Sequence, residues 1–261
     1  MNTITLDMLP YVAVTFMLTL TRVSAMLLAM PALGEKAIPA RIKIGAAFAL
    51  VLVLYPRSSE AYALIRADLE RGTLEPIVRT LFLEILIGVF IGLTGRLVLS
   101  ALNLAGSAMA TQFGLGFAQT ADPTQGIQGA ILASFLTMIG VTLIFVTDMH
   151  HLFLRGLYDS YTLFPPGTGI PTGDMAEMAV KIVGDAFRVG TQIAAPFIVF
   201  GLLFYAGLGI LSKLMPQVQI FFLAMPANIL LGTALMVPML GVGMLVFLNH
   251  MEEVSILFLA P

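Results

Sequence analysis

The chain has 261 residues, of which 59% are hydrophobic and only 11% are charged, and its formal net charge is −2. Soluble domains carry about 25% charged residues, so this composition indicates an integral membrane protein. The small negative charge predicts no nucleic-acid partner, and the lack of cysteine excludes disulfides, thiolate metal sites and a thiol nucleophile.

The first predicted helix is the apolar run of residues 8–33, which is too long for a signal-peptide core and follows no basic segment. Arg22 lies in its middle, and an ionisable residue in such a segment usually faces a partner or water. We expect a carboxylate or helix carbonyls to hold Arg22, and a direct role in transport is the alternative.

The next apolar run, residues 44–56, is too short to cross a membrane comfortably. A short basic connector that contains Pro39 precedes it, and proline interrupts helices. Together they suggest a helical hairpin that does not cleanly cross. Residues 56–76 are polar and of mixed charge, which predicts a solvated connector.

The third apolar run carries Glu84 among apolar neighbours. Glu84 either pairs with Arg22 or Arg79, or stays protonated, and a structural role is favoured over proton coupling. Gly88 and Gly92 lie about one helical turn apart, and small residues at this spacing favour close contact between membrane helices.

Residues 106–123 lie in a charge-free region but suit a lipid-facing helix poorly. Gly106, Gly114 and Gly116 weaken a helix by about 1 kcal/mol each, and Gln112 places hydrogen-bonding groups where lipid offers no partner. Broken backbone at membrane depth is tolerated only when it is buried in protein or lines a cavity. The stretch predicts a loop or bent helix that faces a channel or a partner subunit. A helix whose small residues pack against its neighbours is the alternative.

Residues 127–147 predict a full membrane span, because they are apolar and uncharged over about 20 residues. The polar region that follows begins with Asp148, His150 and His151, which resemble a fragment of a metal site. The HExxH spacing is absent, and adjacent histidines do not share one helix face. We therefore predict no metal ligand and no cofactor.

Asp174, followed three residues later by Glu177, predicts a helix start. This helix runs on into the uncharged residues 189–212, with a kink expected at Pro196. Residues 214–251 contain no Asp, Glu, Lys or Arg, and their prolines allow either two spans or broken helices around a site. Basic residues lie in loops that simple alternation places on opposite sides, so the positive-inside rule gives no single topology.

A set of residues that is ordered along nearly the whole chain now matches one family. The set comprises Arg22, Met30-Pro31, Leu33-Gly34, Pro39, Arg41, Glu84, Gly88, Gly92, Gln112, Gly114, Asp122-Pro123, His150-His151, Ser160, Phe164-Pro165 and Met215-Pro216-Gln217-x-Gln219-Ile220-Phe221. The sequence resembles the FliR family of flagellar biosynthetic membrane proteins and its injectisome counterparts in type III secretion. Met149 departs from the pattern, which has glycine at this position.

The resemblance implies an all-α export-gate subunit of long helical hairpins, broken by Pro and Gly, with a non-serpentine topology inside a hetero-oligomeric helical pore. It implies a single subunit with a FliP-like part over about residues 1–188 and a FliQ-like hairpin over about residues 189–261. The implied partners are FliP-like and FliQ-like subunits, FlhB-like and FlhA-like proteins, and unfolded flagellar substrates. The implied location is the bacterial inner membrane, within the flagellar basal body.

The corresponding loop of the family acts as a plug in the pore. The resemblance assigns this plug to Gly106, Gln112, Phe113, Gly114, Gly116, Phe117, Asp122 and Pro123. We assign Arg22 and Glu84 to a buried polar tie that assembly requires, and Gly88, Gly92, Pro216 and Gln217 to helix packing. We assign no catalytic residue.

Two other functions compete with the export gate. A polytopic transporter of small solutes or ions is supported by Arg22 and Glu84, but the sequence has no inverted internal repeat. An intramembrane enzyme is disfavoured because the sequence has neither an HExxH nor a GxSxG motif and no cysteine.

Overall fold

The described part of the chain is helical throughout. The computed structural model describes residues 9–31, 33–34, 38–67, 74–115, 128–169, 172–215 and 220–259. Within these residues there are seven α-helices and no strand: α1 (Leu9–Ala29), α2 (Ala40–Tyr62), α3 (Leu74–Gln112), α4 (Gln128–Val146), α5 (His150–Leu163), α6 (Thr172–Leu214) and α7 (Ile220–Ile256). A short 3-10 turn, Ala63–Ile65, follows α2. The prediction of an all-α protein is confirmed.

Five of the described helices are long and apolar enough to cross a membrane, and a sixth span is added if the broken pair α4 and α5 counts as one. Helices α3 and α6 contain 39 and 43 residues. At 1.5 Å per residue they are about 58 and about 64 Å long, roughly twice the hydrocarbon core of about 30 Å. The chain is an integral membrane protein whose helices exceed the length that one crossing requires.

The prediction that the second apolar run is too short to cross a membrane comfortably is wrong. α2 continues through Pro56 to Tyr62, and the helical segment Ala40–Ile65 is long enough to span a membrane. Ser58 and Tyr62 are buried, so this part of the predicted connector is not solvated. Proline removes one backbone hydrogen bond from a helix, but packed neighbouring helices make such a loss tolerable in membrane proteins.

The sequence also divides two helices that are continuous in the structure. The third apolar run and the first part of the charge-free region that follows it form the single helix α3, which ends at Gln112. Pro226 and Pro238 lie inside the single helix α7, in place of two spans or a broken helix. The prediction that one helix runs on through Pro196 is confirmed by α6, which begins two residues before Asp174, the predicted start.

The chain forms two compact units. The first comprises Met1–Arg96, Asp148–Val180 and Glu252–Pro261. Its core includes Leu18, Tyr62 and Tyr161, from α1, α2 and α5. The rings of Tyr62 and Tyr161 meet edge to face, with their centroids 6.2 Å apart.

Within this unit, α1 and α3 approach each other closely at Gly88 and Gly92. A Cβ atom added at Gly92 would lie 2.5 Å from the carbonyl oxygen of Met26, and one added at Gly88 would lie 2.8 Å from the Cβ of Ala25. Carbon and oxygen atoms never approach so closely without strain. Only glycine therefore permits this separation of the two helices.

The second unit comprises Leu97–Thr147 and Lys181–Met251. Here α3 crosses α4 at Gly106, where an added Cβ would lie 2.6 Å from the backbone nitrogen of Ala133. α3 also meets α6 at Gly190, where an added Cβ would lie 2.7 Å from the carbonyl oxygen of Ala101. The two units are defined by contacts within the chain. They do not test the division near residue 188 into a FliP-like and a FliQ-like part, which stays a prediction.

Replacement of Gly92 by Ala should destabilise the first unit, because the new methyl group meets the backbone of α1. We expect a loss of about 1–3 kcal/mol, typical of an overpacked core, visible as a lower melting temperature of the detergent-solubilised protein. Gly45→Ala is the matched control. Gly45 lies in α2 with nothing within 4 Å of an added Cβ, so this change should be neutral or stabilising. Equal melting temperatures for the two variants would contradict the close packing.

Candidate functional site

The buried polar tie of the first unit is a salt bridge between Arg22 on α1 and Glu84 on α3. Their side chains are 0% and 1% exposed. The contact has two parallel hydrogen bonds: Arg22 Nε donates to Glu84 Oε2, and Arg22 Nη2 donates to Glu84 Oε1 at 3.0 Å. This fork-like geometry is the strongest form of an arginine–carboxylate pair. Of the two partners that the sequence allowed for Glu84, the structure selects Arg22, and Arg79 is exposed.

Residues of α5 and the turn after it complete the surroundings of Arg22. Its Nη1 donates to Ser160 Oγ at 3.0 Å and its Nη2 donates to the carbonyl oxygen of Phe164 at 3.2 Å. Its guanidinium lies over the ring of Tyr161, 4.1 Å from the ring centroid. An arginine in this cation–π position gains further stabilisation when water is excluded.

The arrangement around Arg22 suits a structural tie better than a ligand site. Every nitrogen of the guanidinium already has a protein acceptor. A solute that bound here would have to replace bonds that are already made. Beside the tie, Thr19 Oγ1 donates to Ser58 Oγ at 2.9 Å, so a second polar contact joins α1 to α2.

The stretch 106–123, which the sequence predicts as a loop or bent helix, is helical in its first part. Gly106 and Gln112 lie in α3, and Phe113, Gly114 and Leu115 form the turn that ends it. Gly114 has φ 76°, a left-handed conformation that suits glycine. The other plug residues Gly116, Phe117, Asp122 and Pro123, and the helix-packing residues Pro216 and Gln217, lie outside the described residues.

The end of α3 is fastened inside the second unit by Phe113. This side chain is fully buried. Its ring meets Phe197 of α6 edge to face, with centroids 5.7 Å apart. On another side the ring lies against Gly232 of α7, where an added Cβ would lie 2.5 Å from its Cε1 atom. Phe113 therefore anchors the start of the stretch within the chain.

Asn228 of α7 makes a second connection to the same helix end. Its Nδ2 donates to the carbonyl oxygen of Gln112 at 2.9 Å and to the hydroxyl of Tyr205 at 3.2 Å. The last carbonyls of a helix have no partner within the helix, and this buried amide supplies one. Sequence reasoning missed Asn228, although an amide in a long apolar run is a signal that it bonds across helices.

Asp148, His150 and His151 lie together at the start of α5. One ligand atom from each falls within 4.8 Å of the others. The sequence argument held that adjacent histidines do not share a helix face, but the rings of His150 and His151 in α5 lie 4.1 Å apart. Asp148 precedes the helix and has φ 60°. Asp148 and His151 are largely exposed. The positive end of a helix dipole disfavours a bound cation at this place.

The fold and these contacts define a class: an integral membrane protein of long helices, whose buried polar groups hold helices together. Residues 13–254 match the family described as bacterial export proteins, family 1. Because this match covers almost the whole chain, the chain belongs to that family.

Individual relatives agree with this assignment. The chain is 38% identical to the flagellar biosynthetic protein FliR of Caulobacter vibrioides over 248 residues, 92% of this chain and 94% of the relative. It is 27% identical to the FliR protein of Bacillus subtilis over 252 residues, 95% of this chain and 93% of the relative. It is 23% identical to the Yop proteins translocation protein T of Yersinia pestis over 261 residues, 98% of this chain and 95% of the relative. The resemblance to the FliR family is confirmed.

Replacement of Glu84 by Gln should destabilise the chain and impair its assembly, because the Arg22 charge then stays buried without a counter-ion. Breaking a buried pair in this way costs about 3–5 kcal/mol. The cellular level of the protein and its melting temperature in detergent measure this loss.

Glu75→Gln is the matched control, since Glu75 is exposed on the same helix and should tolerate the change. The double variant Arg22→Met with Glu84→Leu should recover part of the stability, because it removes both charges. Normal assembly of Glu84→Gln with lost export would instead assign Glu84 to transport.

Proposed function

We propose that this chain is a subunit of a flagellar type III protein export gate in the bacterial inner membrane, within the flagellar basal body. The family match along residues 13–254 carries this proposal. The relative with 38% identity over 92% of the chain is a flagellar biosynthetic protein, which favours the flagellar system over an injectisome. The subunit is non-catalytic, and its task is to form and close the path through which flagellar proteins cross the membrane.

The partners in this proposal are FliP-like and FliQ-like subunits of the gate, with FlhB-like and FlhA-like proteins beside them. The surface of α6 supports a hetero-oligomer. Its exposed apolar side chains fall into two groups: eight between Ile198 and Leu214, and Val180, Val183 and Phe187 beside the exposed charges of Lys181 and Arg188. Charged side chains are costly in the hydrocarbon core, so the second group lies outside it. Partner subunits would cover these apolar side chains there.

The fully bonded environment of Arg22 supports the gate over a solute transporter. Transport residues in membranes pair with one another but also border a pathway or a cavity. Arg22 and Glu84 are buried, and their bonding partners come from α1, α3, α5 and the turn after α5. This is the environment of a pair that stabilises the subunit.

The plug in this proposal spans residues 106–123, and its first part up to Phe113 is anchored in the second unit. Phe113 and Asn228 hold the end of α3 in place. Gly114 follows immediately and adopts a left-handed backbone conformation. We propose Gly114 as the hinge at which the plug leaves the fixed helix.

Replacement of Gly114 by Val should alter gating while the complex still assembles. A residue with a side chain pays about 1–2 kcal/mol for the left-handed conformation, and a β-branched residue is particularly ill suited to it. We expect a change in secretion of flagellar substrates and in leakage of small solutes through the membrane. Gly114→Asn is the control, because Asn tolerates this conformation and should behave like wild type. Wild-type secretion and leakage in Gly114→Val would remove the hinge from the proposal.

Co-expression of this chain with the FliP-like and FliQ-like proteins of its own organism tests the proposed function. We expect affinity purification and native mass spectrometry to find one discrete complex that contains this chain. A strain that lacks the chain should also fail to secrete flagellar substrates, and the wild-type chain should restore secretion. A stable isolated protein or homo-oligomer, with secretion intact in the deletion strain, would contradict the proposal.

A further inference from the structure

The end of α3 is enclosed by residues of α6 and α7 that recur once per helical turn. On α6, Phe197, Gly201 and Tyr205 lie four residues apart, and on α7 Asn228 and Gly232 do so. Residues four apart lie on one face of a helix. Each helix therefore presents a glycine and a hydrogen-bonding side chain on the face that meets the end of α3. These four residues, Gly201, Tyr205, Asn228 and Gly232, form a socket.

The two glycines of the socket fit the side chains of Gln112 and Phe113. A Cβ atom added at Gly201 would lie 2.9 Å from the Cδ of Gln112, and one added at Gly232 would lie 2.5 Å from the Cε1 of Phe113. Carbon atoms in contact are ordinarily about 3.5–4.0 Å apart. A larger residue at either glycine therefore displaces the side chain that it faces. The ring of Phe113 has little room to turn aside, because it also packs against Phe197.

The two polar residues of the socket fix the place along α7 at which α3 ends. Asn228 is 2% exposed, and its amide nitrogen donates both to the carbonyl of Gln112 and to the hydroxyl of Tyr205. A carbonyl only accepts, so the nitrogen of this amide must face Gln112. Tyr205 fixes the orientation of the same amide from α6. Gly114 follows at once, and a Cβ added there would lie 3.5 Å from the Nδ2 of Asn228.

We infer that the socket sets the resting position of the plug, so that its four residues are positioning residues for closure of the path. This inference rests on the proposed function, in which the plug begins within α3. A plug closes a path only if its base is held at one place, because a displacement of the base carries over to the residues that follow. The socket defines that place by shape and by hydrogen bonds together. It holds the base in the closed and in the open state, and movement starts beyond it, at Gly114.

Replacement of Gly232 by Ala tests the shape of the socket. The new methyl group displaces the ring of Phe113, so we expect small solutes to leak several-fold faster per assembled complex than in wild type. Gly241→Ala is the matched control, since Gly241 lies in the same helix with nothing within 4 Å of an added Cβ. This control should leak like wild type.

A compensating substitution separates a positioning role from a merely structural one. Phe113→Leu shortens the side chain that Gly232→Ala displaces, so the double variant should leak less than Gly232→Ala alone. Tyr205→Phe, a milder change that keeps the ring, should also raise leakage, because the amide of Asn228 loses one of its two acceptors. Wild-type leakage in Gly232→Ala and Tyr205→Phe would overturn the inference, and so would loss of the complex without leakage in the complex that remains.

An engineered disulfide tests whether the base stays in the socket while the path is open. The chain has no cysteine, and a Cβ added at Gly201 would lie 3.2 Å from the Cβ of Gln112. Natural disulfides join Cβ atoms about 3.5–4.5 Å apart, so a small shift allows the bond. Gln112→Cys with Gly201→Cys should form it on mild oxidation of cells, which a maleimide that adds mass detects as protected thiols. We expect secretion of flagellar substrates to be equal before and after oxidation.

Gln112→Cys alone is the control for the oxidant, since it should keep a free thiol and secrete equally under both conditions. Thiols that stay free in the double variant would show that Gln112 and Gly201 are not neighbours. A disulfide that stops secretion, and whose reduction restores it, would show that the base leaves the socket when the path opens. Either result overturns the inference.

These outcomes are distinct from failure of the proposed function. If the wild-type chain neither joins the complex nor restores secretion in the deletion strain, the proposed function is wrong. If the wild-type chain does both, while the socket variants do not leak or the disulfide stops secretion, only the socket is wrong.

Discussion

The first unit depends on one buried ion pair and on the helix spacing that it requires. Arg22 and Glu84 meet only if α1 and α3 run close together, and the glycines of α3 allow this. Gly88 follows Glu84 by one turn and lies against the backbone of Arg22, and Gly92 lies one turn further, against Met26. The glycine contacts thus repeat every four residues along both helices. The charges fix the register between the helices, and the glycines maintain it.

Most hydrogen bonds of buried and half-buried side chains in the described residues are of three kinds. Charged groups pair across helices, as Arg22 and Glu84 do. Asn228 bonds across helices to the end of α3. Many hydroxyls, such as that of Thr137, bond to a carbonyl one turn earlier in their own helix. The hydrocarbon interior requires these bonds, since it offers no water to replace a missing one.

Composition and apolar runs were enough to predict an all-α membrane protein, and isolated charges in those runs marked Arg22 and Glu84. Which charge pairs with Glu84 was not predictable, because the choice between Arg22 and Arg79 depends on how helices cross. Proline was misleading at Pro56, where packing against other helices outweighs the lost hydrogen bond. The anchoring of Phe113 was likewise hidden, since its contacts come from residues far away in the sequence.

The exposed apolar surface of α6 has a consequence for the life of the chain before it is assembled. A newly inserted copy without partners exposes apolar side chains from Ile198 to Leu214 and, beside the charges of Lys181 and Arg188, also Val180, Val183 and Phe187. The second group lies outside the hydrocarbon core, where exposed apolar side chains adhere to other proteins unless a partner covers them. Such an unassembled subunit is a natural substrate for membrane proteases. Its lifetime in the cell is therefore set by the supply of partner subunits, which provides a simple means of keeping the components of an assembly in proportion.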